Sequence, residues 1–317
     1  DGLITTVNLK SNCAIQCRVN LTEIAGSSTI VVSRNGPAIG ALENGEEVFV
    51  VLDQGAYVNG TRTVNAYAFY RYTCGLVWKT VLMTDSQHIG TADPIIHGSH
   101  VFFGLSSKEV VSAAFVPMYD CCKDIGQYGS LSLLDGSVEW QNPTITPERA
   151  LEGYGGVGVW HQPVVDLEHG YAIFTTGNTY SRKETVDVCL SGGDPKSCLV
   201  SGVDVDSVIV VNMYDGTNIW TYHAYGIDTL NLDCRDYGGG ENANGNCPHT
   251  RARPDYDFTG AAVIELRNKT KAIFAMQKGS IAWLFNLETG DVIWNSLVGG
   301  HVGSTLAPWG CAIDMDH

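Results

Sequence analysis

The chain has 317 residues and a formal net charge of -15, from 34 acidic against 19 basic side chains. That balance argues against a nucleic-acid backbone or an anionic membrane surface as partner, because affinity for either rests on Lys and Arg. With 44% hydrophobic and 17% charged residues, 36 glycines, 14 tyrosines and 7 tryptophans, the composition predicts a well-buried all-β protein rich in turns and aromatic strands. No apolar run approaches the roughly 20 residues that span a bilayer.

In chain order, residues 2–21, GLITTVNLKSNCAIQCRVNL, predict two strands whose second carries Gln16 or Cys17. Next come PAIGALENGEEVFVVLD and AYAFYRYTCGLVWKT, ending at Trp78, then DPIIHGSHVFFGLS and SLSLLDGSVEWQN, ending at Trp140. QPVVDLEHGYAIFTTGN and VIVVNMYDGTNIWTY lead to Trp220, and GAAVIELRNKTKAIFAMQKG and SIAWLFNLETGDVIWNS lead to Trp294. Each pair of segments reads as strand, turn, strand, twice over, and the last strand opens with the tryptophan. Four antiparallel strands form the blade of a β-propeller, and a tryptophan recurring at one position is expected to pack between neighbouring sheets. The predicted organisation is one all-β domain, residues 1–317. It has a half blade at 1–25, blades at about 30–84, 88–145, 157–225 and 257–298, and the start of another at 303–317. The half-blades either complete a fifth blade by strand exchange or belong to a larger propeller. A chain that opens on Asp1 is expected to be processed or partial.

Two Gly/Asn/Asp-rich insertions, Tyr180 to Asp206 and Asp228 to Asp257, read as long loops. Cys189 with Cys198 and Cys234 with Cys247 are spaced to staple them. Ten cysteines, with sequons at Asn20, Asn59 and Asn268, predict a secreted, disulfide-bonded glycoprotein. Proline blocks the sequon at Asn142. Asp204 with Asp206 and Asp255 with Asp257 have chelating spacing without the glycine and terminal glutamate of an EF-hand, and read as loop carboxylates. His97 and His100 read as turn histidines, and GYGGVG at 153–158 lacks the helix of a dinucleotide loop.

The tryptophan-terminated repeat with its D-G or T-G turn resembles that of the pyrroloquinoline-quinone (PQQ) dehydrogenase propellers. The order CC, GSLSLLDGSVEW, VWHQPVVDLEHGYAIFTTGNTYS, DSVIVVNMYDGTNIW, LNLDC…NCP, PDYDF and GSIAWLFNLETGDVIW is most similar to the polyvinyl-alcohol dehydrogenase branch. The resemblance implies an eight-bladed propeller of which blades are missing here. It also implies PQQ near the axis, a Ca2+ ion acting as Lewis acid, and oxidation of an alcohol by hydride transfer. TTGNTY points to Asn178 as a metal ligand, and CKDIGQYG makes Asp124 the carboxylate ligand. YGIDTLNLDC places Leu230 where the family has tryptophan and Asn231 at the catalytic-base position. Asn231 cannot accept a proton at neutral pH, so Asp228 and Asp233 are the nearest substitutes. Adjacent cysteines form a disulfide ring over the quinone in this family, which suggests Cys121 and Cys122 as a cofactor platform. The other readings are separate bonds from Cys121 and Cys122 to distant partners such as Cys74 or Cys311, or one such bond and a free thiol. Trp160 and Trp309 read as core residues or as cofactor-facing ones. With no C-x-x-C-H haem site, electrons would leave to a separate acceptor. The alternative function is a non-catalytic scaffold, adhesive or filament subunit that pairs through open blade edges.

Overall fold

The computed structural model describes residues 2–181, 198–224, 228–234, 242–248 and 255–299. It is a β-propeller built from successive antiparallel sheets. Blade 1 contains Ala38–Ala41, Glu47–Leu52, Thr61–Tyr70 and Leu76–Thr84, with Ala56–Val58 on the free end of its long strand. Blade 2 contains Ile95–His97, His100–Ser107, Gln127–Ser132 and Val138–Pro143; His88–Ile89 pairs with the far end of its second strand. Blade 3 is Val164–Asp166, Tyr171–Thr175, Ser207–Asn212 and Asn218–His223. Blade 4 is Phe258–Glu265, Lys271–Gln277, Ile281–Asn286 and Val292–Leu297. Leu3–Asn8 and Ala14–Asn20 form a separate hairpin before blade 1.

The inner strands of blades 1 to 3 are apolar on both faces because each of these sheets is covered on either side, by the hairpin or by a neighbouring blade. Val208, Ile209, Val210 and Val211 are all fully buried, a continuous run where a half-exposed strand would alternate. Last strands alternate less cleanly and expose more: Val138 and Glu139 are open to solvent whereas Trp140 is buried.

Each tryptophan is aimed by the same device. In all four blades one extra residue precedes it: Ala68 faces Trp78 while Phe69 faces Leu76, and Val77 is left over. Glu139, Ile219 and Ile293 are the corresponding extra residues. Such a bulge twists the strand locally and re-aims the next side chain. Trp78, Trp140 and Trp220 then reach into the following blade, donating from Nε1 to Leu133 O (2.8 Å), Met213 O (3.0 Å) and Leu287 O (2.9 Å). Their rings lie on the turn glycines Gly136, Gly216 and Gly290, whose φ values are 73°, 71° and 74°. A Cβ there would sit 2.5–2.7 Å from ring atoms, so both the left-handed turn and the close approach require glycine.

The joint between the hairpin and blade 1 uses different chemistry in the same place. Thr6 faces Cys17 while Val7 faces Ile15, so Gln16 is the extra residue and Cys17 stands at the tryptophan position. Cys17 is bonded to Cys74, a turn residue with φ 54° whose N–H donates to Tyr70 O. Gly136, Gly216 and Gly290 donate likewise to the carbonyls four residues before them. A cystine thus replaces the tryptophan-on-glycine contact, and Cys74 is not a partner of Cys121 or Cys122. Cys13 is exposed and free. Cys189, Trp309, Cys311 and the blade start at 303–317 lie outside the described residues.

Candidate functional site

The loops between the second and third strands of blades 2 and 3 meet the segments that join blade 2 to blade 3 and blade 3 to blade 4 in a buried polar region. On one side Cys121 and Cys122 are joined to each other, through a cis peptide. Several groups hold this pair. Ser181 Oγ donates to Cys122 O (3.0 Å), and the Cys121 N–H donates to Asn246 Oδ1 (3.4 Å). Glu109, buried at the start of the helix Glu109–Phe115, accepts the N–H groups of Lys123 (2.9 Å) and Asp124 (2.7 Å) and the Tyr119 hydroxyl (2.8 Å). Burial, together with Asp124, raises the Glu109 carboxyl above its ordinary range despite these donors. Glu109 anchors the cysteine loop, yet no feature of its local sequence distinguishes it from a solvated acid.

Asp124 Oδ2 accepts from Ser107 Oγ (2.9 Å) and lies 3.4 Å from His88 Nδ1. The strand segment Gly155–Gly156 and Val157 connect it to Asn178: Gly156 N–H donates to Asp124 O and Val157 N–H to Asn178 O, both 2.8 Å. The Asn178 amide donates from Nδ2 to Thr179 O (2.5 Å) and Leu230 O (2.7 Å). With its donors used, Asn178 has its oxygen left to offer, and an oxygen suits a hard cation. Asn178 and Asp124 therefore fit the donor chemistry of the Ca2+ ion the resemblance implies.

The segment at the expected base position is organised otherwise. Asn231 Nδ2 donates to Tyr180 O (3.1 Å) and Asn246 O (2.8 Å), and its Oδ1 accepts the Asp233 N–H (3.0 Å). Asp233 spends its carboxylate on the N–H groups of Asn244 (3.1 Å) and Asn246 (2.7 Å), in the loop closed by the Cys234–Cys247 disulfide. Asn244 and Asn246 in turn donate to Ala113 O, docking that loop on the helix behind the cysteine pair. Asn231 and Asp233 are thus structural clamps. Cys198 is also disulfide-bonded.

Asp228 is different. Its Oδ2 accepts the Tyr256 N–H (2.6 Å), and it lies with Asp206 and Asp257 in a group whose ligand oxygens are all within 4.8 Å of one another. Asp206 is 0% exposed, Asp228 2% and Asp257 5%. Asp206 and Asp257 do stand in loops, just before strands of blades 3 and 4, but both are buried there, as Val205 and Phe258 beside them are. Burial, with neighbouring carboxylates adding to it, holds Asp206 and Asp228 well above the usual carboxylate range. Lys278 Nζ contacts Asp257 Oδ2 (2.6 Å) and Asp255 (3.0 Å) and stands 4.8 Å from the centre of the Trp160 ring. Burial disfavours the ammonium, but the two aspartates outweigh it and raise its pKa. His161, beside Trp160, is pushed down to about 4 by burial and so is neutral at pH 7. Sequence reading passed over Lys278; its only signal was the turn "QKGS", which any exposed lysine would share.

The propeller of four-stranded blades is similar in fold to solved quinoprotein alcohol dehydrogenases. Similar solved structures include a europium-containing methanol dehydrogenase, at 14% identity and TM-score 0.58, matched over 93% of this chain and 47% of that one. The quinohemoprotein alcohol dehydrogenase ADHIIG from Pseudomonas putida HK5 is similar at 14% identity and TM-score 0.56, over 94% of this chain and 41% of that one. The quinohemoprotein alcohol dehydrogenase from Comamonas testosteroni follows at 15% identity and TM-score 0.51, over 84% and 44%. The chain spans less than half the length of each, and the likeness is one of fold; it does not single out the polyvinyl-alcohol branch. No protein-family model and no curated protein matches the chain.

Proposed function

We propose that the chain is a quinoprotein-like propeller that binds PQQ and oxidises alcohols, polyols or polymeric alcohols, in an oxidising extracellular compartment. The observation that carries this is the bonded Cys121–Cys122 pair, fixed by Ser181, Asn246 and the Glu109-anchored loop. A ring closed between neighbours offers a flat, apolar face, and three separate elements hold it in place.

When bound, PQQ supplies a quinone that takes hydride from the carbinol carbon, and Ca2+ supplies a Lewis acid beside it. The Cys121–Cys122 pair and Trp160 would hold the planar cofactor. Lys278 lies over the Trp160 ring and would help fix it in place. Asn178 and Asp124 would hold the ion through oxygen. Asp228 would take the hydroxyl proton, since Asn231 has no basic oxygen and Asp233 is committed to its loop. Electrons would then pass to a separate acceptor. Disulfides at Cys17–Cys74 and Cys234–Cys247 support the compartment, and Asn59 and Asn268 stand on exposed turns where glycans would be accommodated. Asn20 is half-buried and its Nδ2 donates to Glu23 (3.1 Å), which makes it the poorest acceptor of the three.

The test is to add PQQ and Ca2+ to purified protein and follow quinone absorbance and dye reduction with primary, secondary and polymeric alcohols. Saturable quinone binding that Cys121→Ser/Cys122→Ser abolishes, with turnover lost in Asp228→Asn, is the expected result. No quinone binding would sink the reading. A second reading, assembly through an open edge, is favoured by the first hairpin, where Leu3, Val7, Leu9 and Ile15 are exposed. Light scattering that reports a monomer would count against it.

A further inference from the structure

The helix Glu109–Phe115 turns an apolar side outward. Glu109 and Ala113 are buried, whereas Val111 and Phe115, four residues apart and therefore on one face, are exposed. The chain leaving the helix adds exposed Val116 and Met118, the latter 94% open to solvent at a left-handed φ of 56°. Leu151, at the end of the helix Pro147–Leu151, is 90% exposed. One exposed apolar side chain is ordinary, but several around one point mark a contact surface.

That point is the cysteine pair. Asn246 spans from the helix to it: its Nδ2 donates to Ala113 O (3.0 Å) and its Oδ1 accepts the Cys121 N–H (3.4 Å), which brings the end of the helix, with Phe115 and Val116, beside Cys121. Ser181 Oγ lies 3.0 Å from the carbonyls of both Cys122 and Gly153, which puts Leu151, two residues before Gly153, on the flank of Cys122. The charged groups of these segments are spent on their own neighbours. Glu109 accepts from the backbone of Lys123 and Asp124 and from Tyr119, Lys123 pairs with Asp120 (2.5 Å), and Arg149 pairs with Glu152 (2.9 Å). What this rim offers outward is hydrocarbon.

We infer that Val111, Phe115, Val116, Met118 and Leu151 hold the alkyl tail of a long-chain aliphatic alcohol whose hydroxyl end lies at the Cys121–Cys122 pair. A sugar polyol fits poorly, since it carries a hydroxyl on every carbon and burying those against valine, phenylalanine and methionine leaves them unpaired. A second protein copy fits poorly as well, because a stable interface takes about 800 Å2 and 20 or more residues from each partner. For the reaction the inference rests on the quinone reading, and it names the substrate class; binding of the tail needs no quinone. A fully buried methylene is worth about fourfold in affinity, and a tail lying on an open rim is covered on one side, so about twofold per methylene is expected.

The test is a saturation-transfer NMR titration of PQQ-free protein with 1-butanol, 1-hexanol and 1-octanol. Affinity should rise about 16-fold from the shortest alcohol to the longest. The rise should collapse in Phe115→Ser/Met118→Ser and shrink in Leu151→Ser, both at exposed positions where folding is not at stake. In protein loaded with PQQ and Ca2+ the same series should appear in kcat/KM. Equal affinity for butanol and octanol overturns the inference, and so does a rise that the double variant leaves intact. A chain that binds the series as expected but takes up no quinone supports the rim and sinks the proposed reaction. One that takes up quinone and oxidises alcohols without regard to chain length sinks the rim and leaves the reaction standing. Light scattering in which the wild type is a dimer and the double variant a monomer assigns the patch to a second copy, which also overturns the inference.

Discussion

The joints between blades and the acidic centre are built on opposite terms. The three tryptophan joints repeat a single solution, a bulge, a tryptophan and a left-handed turn glycine, with the indole N–H matched by a carbonyl of the next blade. The centre occurs once, and it gathers charge that its own hydrogen bonds leave unmatched at Asp206. Stability is concentrated in the first and chemistry in the second. Removing a side chain should therefore cost stability at a joint and restore it in the centre.

Trp140→Ala gives the largest loss. It removes the Met213 hydrogen bond and the contacts with Phe102, Tyr128 and Phe174, and the expected cost is about 3–5 kcal/mol in urea unfolding. Cys17→Ala with Cys74→Ala opens a link between residues 57 apart in sequence, for an expected loss of about 2–4 kcal/mol. If the double variant matched the wild type, the cystine would not be the working equivalent of the tryptophan joint. Asp206→Asn should shift stability the other way, raising it by about 2 kcal/mol at neutral pH, because a buried carboxyl that no donor meets and whose ionisation burial opposes is replaced by a neutral amide. A destabilised variant would show that the centre is balanced in some other way.

The smallest effect is expected at Asp204, on the edge of the centre. Burial pushes its carboxyl up to about 6, so the folded protein holds this proton more tightly than the unfolded chain does. The contribution to stability is complete below about pH 4 and is lost as pH rises through about 6. Its side chain is 27% exposed and water screens it, so the loss by pH 7 should be about 1 kcal/mol. Asp204→Asn should accordingly be more stable than wild type at pH 7 and equal to it at pH 4, measured as unfolding midpoints across that range.

The parts of the joints were legible in the sequence because each repeat carries its own strand, turn glycine and tryptophan within about 15 residues; which glycine each tryptophan covers, Trp78 on Gly136 for instance, follows only from the order of the blades. Cys17 was visible as the odd residue at a tryptophan position, but its partner was not, since pairing across 57 residues depends on which blade turns next to which. The centre was legible only in pieces. Asp206 and Asp257 are visible in the sequence as spaced loop acids, but spacing alone does not report burial; that follows from the strands of blades 3 and 4 that carry them inward. Asn231 and Asp233 looked like a degraded base motif, and their roles as loop clamps emerge only with Asn244 and Asn246 in place. Lys278 gave no signal, as its importance rests wholly on Trp160, Asp255 and Asp257 converging on it.

The first joint differs from the others in one further respect. An indole packed on a glycine is indifferent to electrons, whereas a cystine can be opened by a thiol. Among the described joints, the one that fastens the leading hairpin is therefore the only one whose strength is set by the surroundings as well as by the fold: locked where the medium oxidises, and unlatched, with the tryptophan joints between blades unchanged, where the medium reduces.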